Sequence, residues 1–254
     1  MSEEKKIALI TGATSGIGKS TAILFAANGI QLVLCGRRED RLAILKEELG
    51  KETKVHTLNF DIRNKDDVFK AIASLPDDFS TIDILINNAG NAHGLEPINE
   101  GNTDDWDAML DINVKGLLYV SKAIIPKMIE KKSGHIINIG STAGKEVYPN
   151  GNVYCASKHA VDAINQGMRI DLNPYGIRVG AVNPGMVETE FSEVRFKGDH
   201  KRAENVYKGF EPLQPEDIAD IIHFVVTRPY HVNIADLIVM STAQASSTIV
   251  NKNI

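Results

Sequence analysis

Short apolar runs recur along the chain at residues 7–10, 31–34, 55–60, 82–86, 135–139, 177–182 and 237–240. Between them lie stretches in which apolar residues return every three or four positions. Runs this short do not by themselves distinguish strand from buried helix. The glycines, asparagines and prolines that close many of them predict strands. Ile23, Leu24 and Phe25 belong to a first helical stretch, and residues 41–49 form a second, closed by Gly50. Asn64, whose side chain can accept from unpaired backbone N–H groups, caps a third that runs to about Leu75. Thr103 opens a long helix carrying Trp106, Met109, Leu110, Leu117, Leu118 and Val120. Asn113 and Gly116 are unfavourable in its interior and predict a kink that frees backbone groups to hold water. Further helices contain Tyr154 and, after Pro215, residues 216–226. Strand and helix alternate with no linker. The pattern predicts one α/β domain over residues 1–254: a doubly wound parallel sheet of about seven strands, helices on both faces, right-handed crossovers.

Composition narrows the picture. With 254 residues, 43% of them hydrophobic, the chain can bury a sizeable core. The formal net charge is -5 with no basic patch, which argues against a nucleic-acid partner. No apolar run reaches the ~20 residues that span a bilayer. The start, Met1-Ser2-Glu3-Glu4-Lys5-Lys6, is polar and does not read as a signal peptide, so a cytoplasmic enzyme is expected. Cys35 and Cys155 have no metal-ligand spacing and read as small buried fillers in a reducing compartment. The tail from Ala243 is small and polar, and is expected to be ordered only if a partner subunit holds it.

The chemistry-bearing residues cluster where strands end. Thr11-Gly12-Ala13-Thr14-Ser15-Gly16-Ile17-Gly18 is a glycine-rich turn between a strand and a helix. Such a turn lets backbone approach a pyrophosphate, with helix N–H groups and the positive dipole end facing it. The second strand ends in Gly36-Arg37-Arg38. An acid at that place binds a ribose 2′-hydroxyl, whereas an arginine accommodates a 2′-phosphate, so Arg37, with Arg38 beside it, predicts NADP over NAD. Tyr154 and Lys158 stand one helical turn apart on one face. A nearby ammonium favours a phenolate and lowers the tyrosine pKa from its ordinary ~10. The segment at 186–209 is long and polar, holds Arg195, Lys197, Lys201 and Arg202, and reads as a mobile substrate lid. Arg195, set between Val194 and Phe196, is the candidate partner for a substrate carboxylate.

These motifs together resemble the short-chain dehydrogenase/reductase family over essentially the whole chain. The resemblance rests on the Thr11–Gly18 turn, Asn87-Asn88-Ala89-Gly90, Asn113, Ser141, Tyr154-x-x-x-Lys158 and Pro184-Gly185. It implies a Rossmann fold with Tyr154 as general acid/base and Ser141 bonding the substrate oxygen. Lys158 would lower the tyrosine pKa and bind the nicotinamide ribose, and Asn113 would help hold a relay water. Gly12, Thr14, Ser15, Gly16, Ile17 and Gly18, with Asp61 and Ile62, would bind NADP(H), as would Asn88, Ala89 and Gly90. Pro184, Gly185, Val187 and Thr189 complete that set. Residues 74–76, 134–141, 151–154 and 190–199 are similar to the branch of NADP-dependent 3-hydroxy acid dehydrogenases, typically homotetramers. That branch acts on small hydroxy acids such as L-serine, L-allo-threonine and 3-hydroxypropionate. The rival expectations are a 3-oxoacyl-thioester reductase with the same catalytic set and a dinucleotide-binding regulator without activity.

Overall fold

The apolar runs become strands because helices cover both of their faces. A computed structural model describes residues 5–252; the polar start through Glu4 and the last two residues lie outside it. Seven strands, β1 (Ile7–Thr11), β2 (Gln31–Gly36), β3 (Val55–Asn59), β4 (Ile84–Asn87), β5 (Gly134–Ile139), β6 (Ile177–Pro184) and β7 (Asp236–Val239), form one sheet. Its order is β3-β2-β1-β4-β5-β6-β7, with every pairing parallel. The helices that join them are α1 (Gly16–Ala27), α2 (Glu39–Leu49), α3 (Lys65–Ala73), α4 (Thr103–Leu110), α5 (Leu117–Lys131) and α6 (Asn152–Leu172), with α9 (Pro215–Val226) before β7.

Alternate residues of each strand serve opposite faces. Ala8, Ile10, Leu34 and Ile86 pack with Phe25 of α1 and with Ile218 and Ile222 of α9. Leu9, Val33, Leu85 and Ile136 pack with Val68, Val120 and Met128 on the other side. In β1, Leu9 lies between Val33 of β2 and Leu85 of β4. The chain winds outward in one direction through β2 and β3 and in the other from β4 onward. The strand order therefore reverses between β1 and β4, and a crevice opens beyond their carboxyl ends.

Local chemistry sets the boundaries. The Asn64 side chain accepts from the backbone N–H groups of Asp66 and Asp67, which starts α3 as expected. Pro215 occupies the first turn of α9, and the Gln214 N–H donates to the Asp217 carboxylate at 2.7 Å. The kink expected near Asn113 is a π turn, Asp111–Gly116, between α4 and α5. β7 sits at the sheet edge, where its residues alternate between exposed and half-buried, and it begins one residue earlier than the pattern predicts.

The polar segment at 186–209 contains two short helices, α7 (Phe191–Arg195) and α8 (His200–Tyr207). The Tyr207 hydroxyl donates to the Val187 carbonyl at 2.9 Å and lies 2.8 Å from the Ser192 hydroxyl, tying the helices into one unit. The tail from Ala243 bonds to its own chain. Gln244 is buried, its Oε1 accepts from the Met186 N–H at 2.9 Å, and its Nε2 donates to the Ser246 carbonyl at 3.1 Å. The Asn251 N–H bonds back to the Ala243 carbonyl. Gly185 leaves the room this requires, since a Cβ there would fall on the Gln244 side chain. Among the described residues no helix is long and apolar enough to cross a membrane, and no acidic, histidine or cysteine cluster could hold a metal. Cys35 and Cys155 are buried and unbridged.

Candidate active site

The floor of the crevice is laced together by polar groups at two strand ends. The Thr11 hydroxyl donates to the Ile86 carbonyl and accepts from the N–H groups of Asn88 and Ala89. The Asn88 amide donates to the Thr11 and Gly12 carbonyls at 2.9 and 3.2 Å. Gly18 must lack a side chain, because a Cβ there would lie 2.4 Å from the Gly12 carbonyl oxygen. Above this floor is a cleft of about 710 Å³. Of the site residues selected from the sequence, all line the cleft except Gly18 and Asn113, which support it from behind and beneath. The glycine turn opens α1 at one side. A Cβ on Gly90 would come 3.1 Å from Asn113 Oδ1 and 3.5 Å from Lys158 Nζ, so the Gly90 backbone lies close against both groups. A cleft of this size, with anion-binding backbone in the middle, arginines at one end and a buried lysine at the other, fits a phosphorylated dinucleotide.

At the inner end, α6 presents Tyr154 and Lys158, both buried. Lys158 Nζ donates to the Ile139 carbonyl at 2.9 Å. Ser141 accepts from the Ala143 N–H at 3.1 Å, which leaves its own proton for the Tyr154 side it faces. Asn113 spends its side chain on structure: Oδ1 accepts from the Asn91 N–H, and Nδ2 donates to the Asn91 carbonyl and the Ser157 hydroxyl. The π turn around it loosens backbone groups of the kind that can hold water. In the chain itself Tyr154 does not have the lowered pKa expected from Lys158. Burial pushes the phenol above its ordinary range, Tyr148 adds to this, and Ser141 and Arg195 oppose it without prevailing.

Burial also depresses Lys158, from 10.5 to about 8. The folded state disfavours its proton, so the penalty is present in full below pH 8 and fades as the pH rises from 8 towards 10.5. Lys158→Met is therefore expected to stabilise the fold at pH 7 by about 1 to 3 kcal/mol, after allowing for the unpaired Ile139 carbonyl. The gain should shrink by pH 10. Urea unfolding at the two pH values checks this, and a variant less stable than wild type at both would contradict it.

At the outer end Arg38 reaches back over the glycine turn. Its Nε donates to Thr14 Oγ1 at 3.1 Å, its Nη2 to Ser15 Oγ at 2.7 Å, and its Nη1 to Glu190. Arg37 is more exposed and lies 3.8 Å from Asp61, which also pairs with Arg63 at 2.6 Å. Arg38 is thus the better-placed of the two arginines at the turn.

The segment at 186–209 brings Arg195 over the inner end. Its backbone carbonyl accepts from the Gly94 N–H at 3.0 Å, and its Nε donates to the Gly94 carbonyl at 3.1 Å. Its guanidinium carbon lies 5.5 Å from the Tyr148 ring centre and 5.6 Å from that of Tyr154. Nη2 is shielded from solvent and has no partner among the described residues. Lys197 extends the same closure by pairing with Asp105 of α4 at 2.8 Å. Lys201 and Arg202 are exposed, and Arg202 stacks on Phe196.

Comparison with known proteins agrees with this geometry. Residues 6–199 match the family described as short chain dehydrogenase. The chain belongs to this family. Among its relatives, the NADP-dependent 3-hydroxy acid dehydrogenase YdfG of Escherichia coli K12 is 45% identical over 240 residues, 94% of this chain and 96% of that protein. Sulfoacetaldehyde reductase 2 of Chromohalobacter salexigens is 45% identical over 242 residues, 95% of this chain and 96% of that protein. The solved closed form of serine dehydrogenase complexed with NADP+ superposes with a TM-score of 0.92 at 44% identity, covering 96% of this chain and 98% of that one.

The short-chain dehydrogenase cleft includes residues that sequence reasoning missed. Tyr148, Phe191, Glu190, Asn91, Gln244 and Ser247 all line it. Asn91 directly follows the Asn87-Asn88-Ala89-Gly90 motif and could have been found from it. Gln244 and Ser247 lie in a polar tail with no periodicity, and nothing local signals their place.

Proposed function

We propose that the chain is an NADP-dependent oxidoreductase that interconverts a small 3-hydroxy acid, of the L-serine, L-allo-threonine or 3-hydroxypropionate type, and its 3-oxo form. The observation that carries this reading is Arg195. A half-buried guanidinium with an unpartnered Nη2 stands beside the tyrosine of a dehydrogenase site, where a free acid needs a cation. The names of the Escherichia coli relative and of the serine dehydrogenase structure support the same substrate class.

NADP, when bound, supplies the hydride chemistry. The chain supplies position and proton. Tyr154 gives its phenolic proton to the nascent alkoxide during reduction and takes the alcohol proton during oxidation. Ser141 donates to the oxygen where charge develops. Lys158 stabilises the phenolate state through its charge and holds the nicotinamide ribose. Water held by backbone at the π turn around Asn113 connects Lys158 to solvent. Thr14, Ser15, Arg38 and the more exposed Arg37 hold the adenosine phosphate. Residues 186–209 act as the lid that closes over the substrate and excludes water. In this reading the enzyme is cytoplasmic and works as a homotetramer. The exposed Ile238 and Met240 beside the free sheet edge support assembly.

The rival substrate class is a 3-oxoacyl thioester. Its acyl chain offers no free carboxylate to Arg195. An inactive regulator is disfavoured because Ser141, Tyr154 and Lys158 are assembled at one end of the cleft, with Asn113 beneath. NADPH absorbance with L-serine, 3-hydroxypropionate and a 3-oxoacyl thioester tests all three. Turnover of the hydroxy acids is expected. Turnover of the thioester alone would overturn the substrate, and no turnover of any alcohol or ketone would overturn the enzyme.

A further inference from the structure

Two guanidiniums at the outer end of the cleft hold a carboxylate that belongs to the lid. Glu190 immediately precedes α7. Its Oε2 accepts from Arg38 Nη1 at 2.8 Å, and its Oε1 accepts from Arg41 Nη1, in α2, at 2.6 Å. Each carboxylate oxygen thus has its own guanidinium. The other two nitrogens of Arg38 are spent on Thr14 and Ser15. This places the carboxylate of Glu190 beside the residues that follow β2.

The donor set around Glu190 is the one a phosphate monoester calls for. Two arginines offer charge-assisted N–H groups to separate oxygens, and two hydroxyls stand alongside. Glu190 is ionised at neutral pH. Burial pushes its pKa up, but the bonds from Arg38 and Arg41 outweigh burial and hold it below the ordinary carboxylate range. A phosphate dianion entering this place meets a negative charge already seated on the guanidiniums it needs.

We propose that Glu190 is an internal stand-in for the 2′-phosphate of the cofactor, competing with it for Arg38 and Arg41. The inference rests on the NADP reading above. Binding of a 2′-phosphorylated nucleotide displaces the carboxylate and releases the first residue of the lid helix from the nucleotide half of the cleft. A nucleotide with a free 2′-hydroxyl leaves the pair intact. Glu190 therefore weakens binding of the phosphorylated cofactor selectively and speeds its exchange. It is a specificity-determining residue that touches the cofactor's binding groups and takes no part in hydride or proton transfer.

The test is calorimetric titration of the full chain with 2′,5′-ADP and with 5′-AMP, which carry the adenosine half alone. Wild type should prefer 2′,5′-ADP. Glu190→Gln should bind 2′,5′-ADP about 2- to 30-fold more tightly, the range for removing two partly exposed ion pairs, with 5′-AMP unchanged. Glu190→Asp, which keeps the charge on a shorter arm, should fall between the two. The gain in Glu190→Gln should shrink at high salt, where both phosphate contacts and the ion pairs are screened. Unchanged or weaker binding of 2′,5′-ADP to Glu190→Gln would overturn the proposal and make Glu190 a clamp or a structural tie. Equal tightening of both nucleotides would also overturn it, because the charge would then act on any phosphate in the cleft. A wild type that binds the two nucleotides equally would show that the NADP reading itself fails, and the inference with it.

Discussion

Tyr154→Phe is expected to lower kcat by at least ~100-fold while nucleotide still binds. The substitution removes one oxygen and leaves the packing in place. The ring of Tyr154 meets Phe191 edge-on at 5.6 Å and faces the Arg195 guanidinium, and a phenyl ring keeps both contacts. The loss therefore reports proton transfer. The high pKa of the buried phenol adds a sign. In the free chain Tyr154 is a neutral acid at pH 7, suited to reduction, whereas oxidation needs the phenolate. The rate of alcohol oxidation should accordingly rise with pH above neutrality, and that dependence should vanish in Tyr154→Phe. Steady-state kinetics in both directions, with nucleotide binding followed by fluorescence, measure all of this. Near-normal turnover of the variant would remove Tyr154 from the mechanism.

Arg195→Met is expected to lower kcat/KM for L-serine by about 2–5 kcal/mol, roughly 30- to 5,000-fold, and to spare an uncharged secondary alcohol. A carboxylate entering a closing, partly dry site needs a fixed cation, because an unpaired buried charge is costly. Arg195 is held for that task from both sides. Gly94 grips its backbone and its Nε, two aromatic rings flank the guanidinium, and Nη2 is left over. Methionine keeps the length and apolar stem of the side chain while removing the charge. An equal loss on both substrates would mean that Arg195 serves closure of the lid through Gly94 and does not recognise the acid.

What could be read from the chain, and what could not, follows from how local each cause is. β1, β2, β4, β5 and β6 were legible because strands covered on both faces are written as largely apolar runs. β7 was placed one residue late because an edge strand with Asp236 and Ile238 exposed has a weaker pattern. The Asn64 cap and the disturbance at Asn113 were legible because each depends on a single residue's hydrogen-bonding habit. The catalytic end was legible because Tyr154 and Lys158 share one helix face. The two short lid helices were not, since α7 and α8 are too short to persist without the tertiary contacts of Tyr207. The direction of the Tyr154 shift was missed for a related reason. Burial is a sum over the whole fold, and here it exceeds the effect of the one neighbour that spacing reveals. The choice between Arg37 and Arg38 depends on Thr14 and Ser15 in the glycine turn and on Glu190, 152 residues from Arg38 in sequence.

The position of β1 inside the sheet, between β2 and β4, has a consequence for biosynthesis. Thr11 waits for the Ile86 carbonyl, 75 residues later, to complete its bonds. While the first eighty or so residues emerge from the ribosome, β1 can pair with β2 and β2 with β3. The other side of β1 remains an open edge made of Ala8, Leu9 and Ile10, all destined for full burial. Such an edge is a template for other chains until β4 arrives. An interior strand of the finished protein is thus an open edge during synthesis, and conditions that slow translation between Gly36 and Ile84 should favour aggregation of the nascent chain.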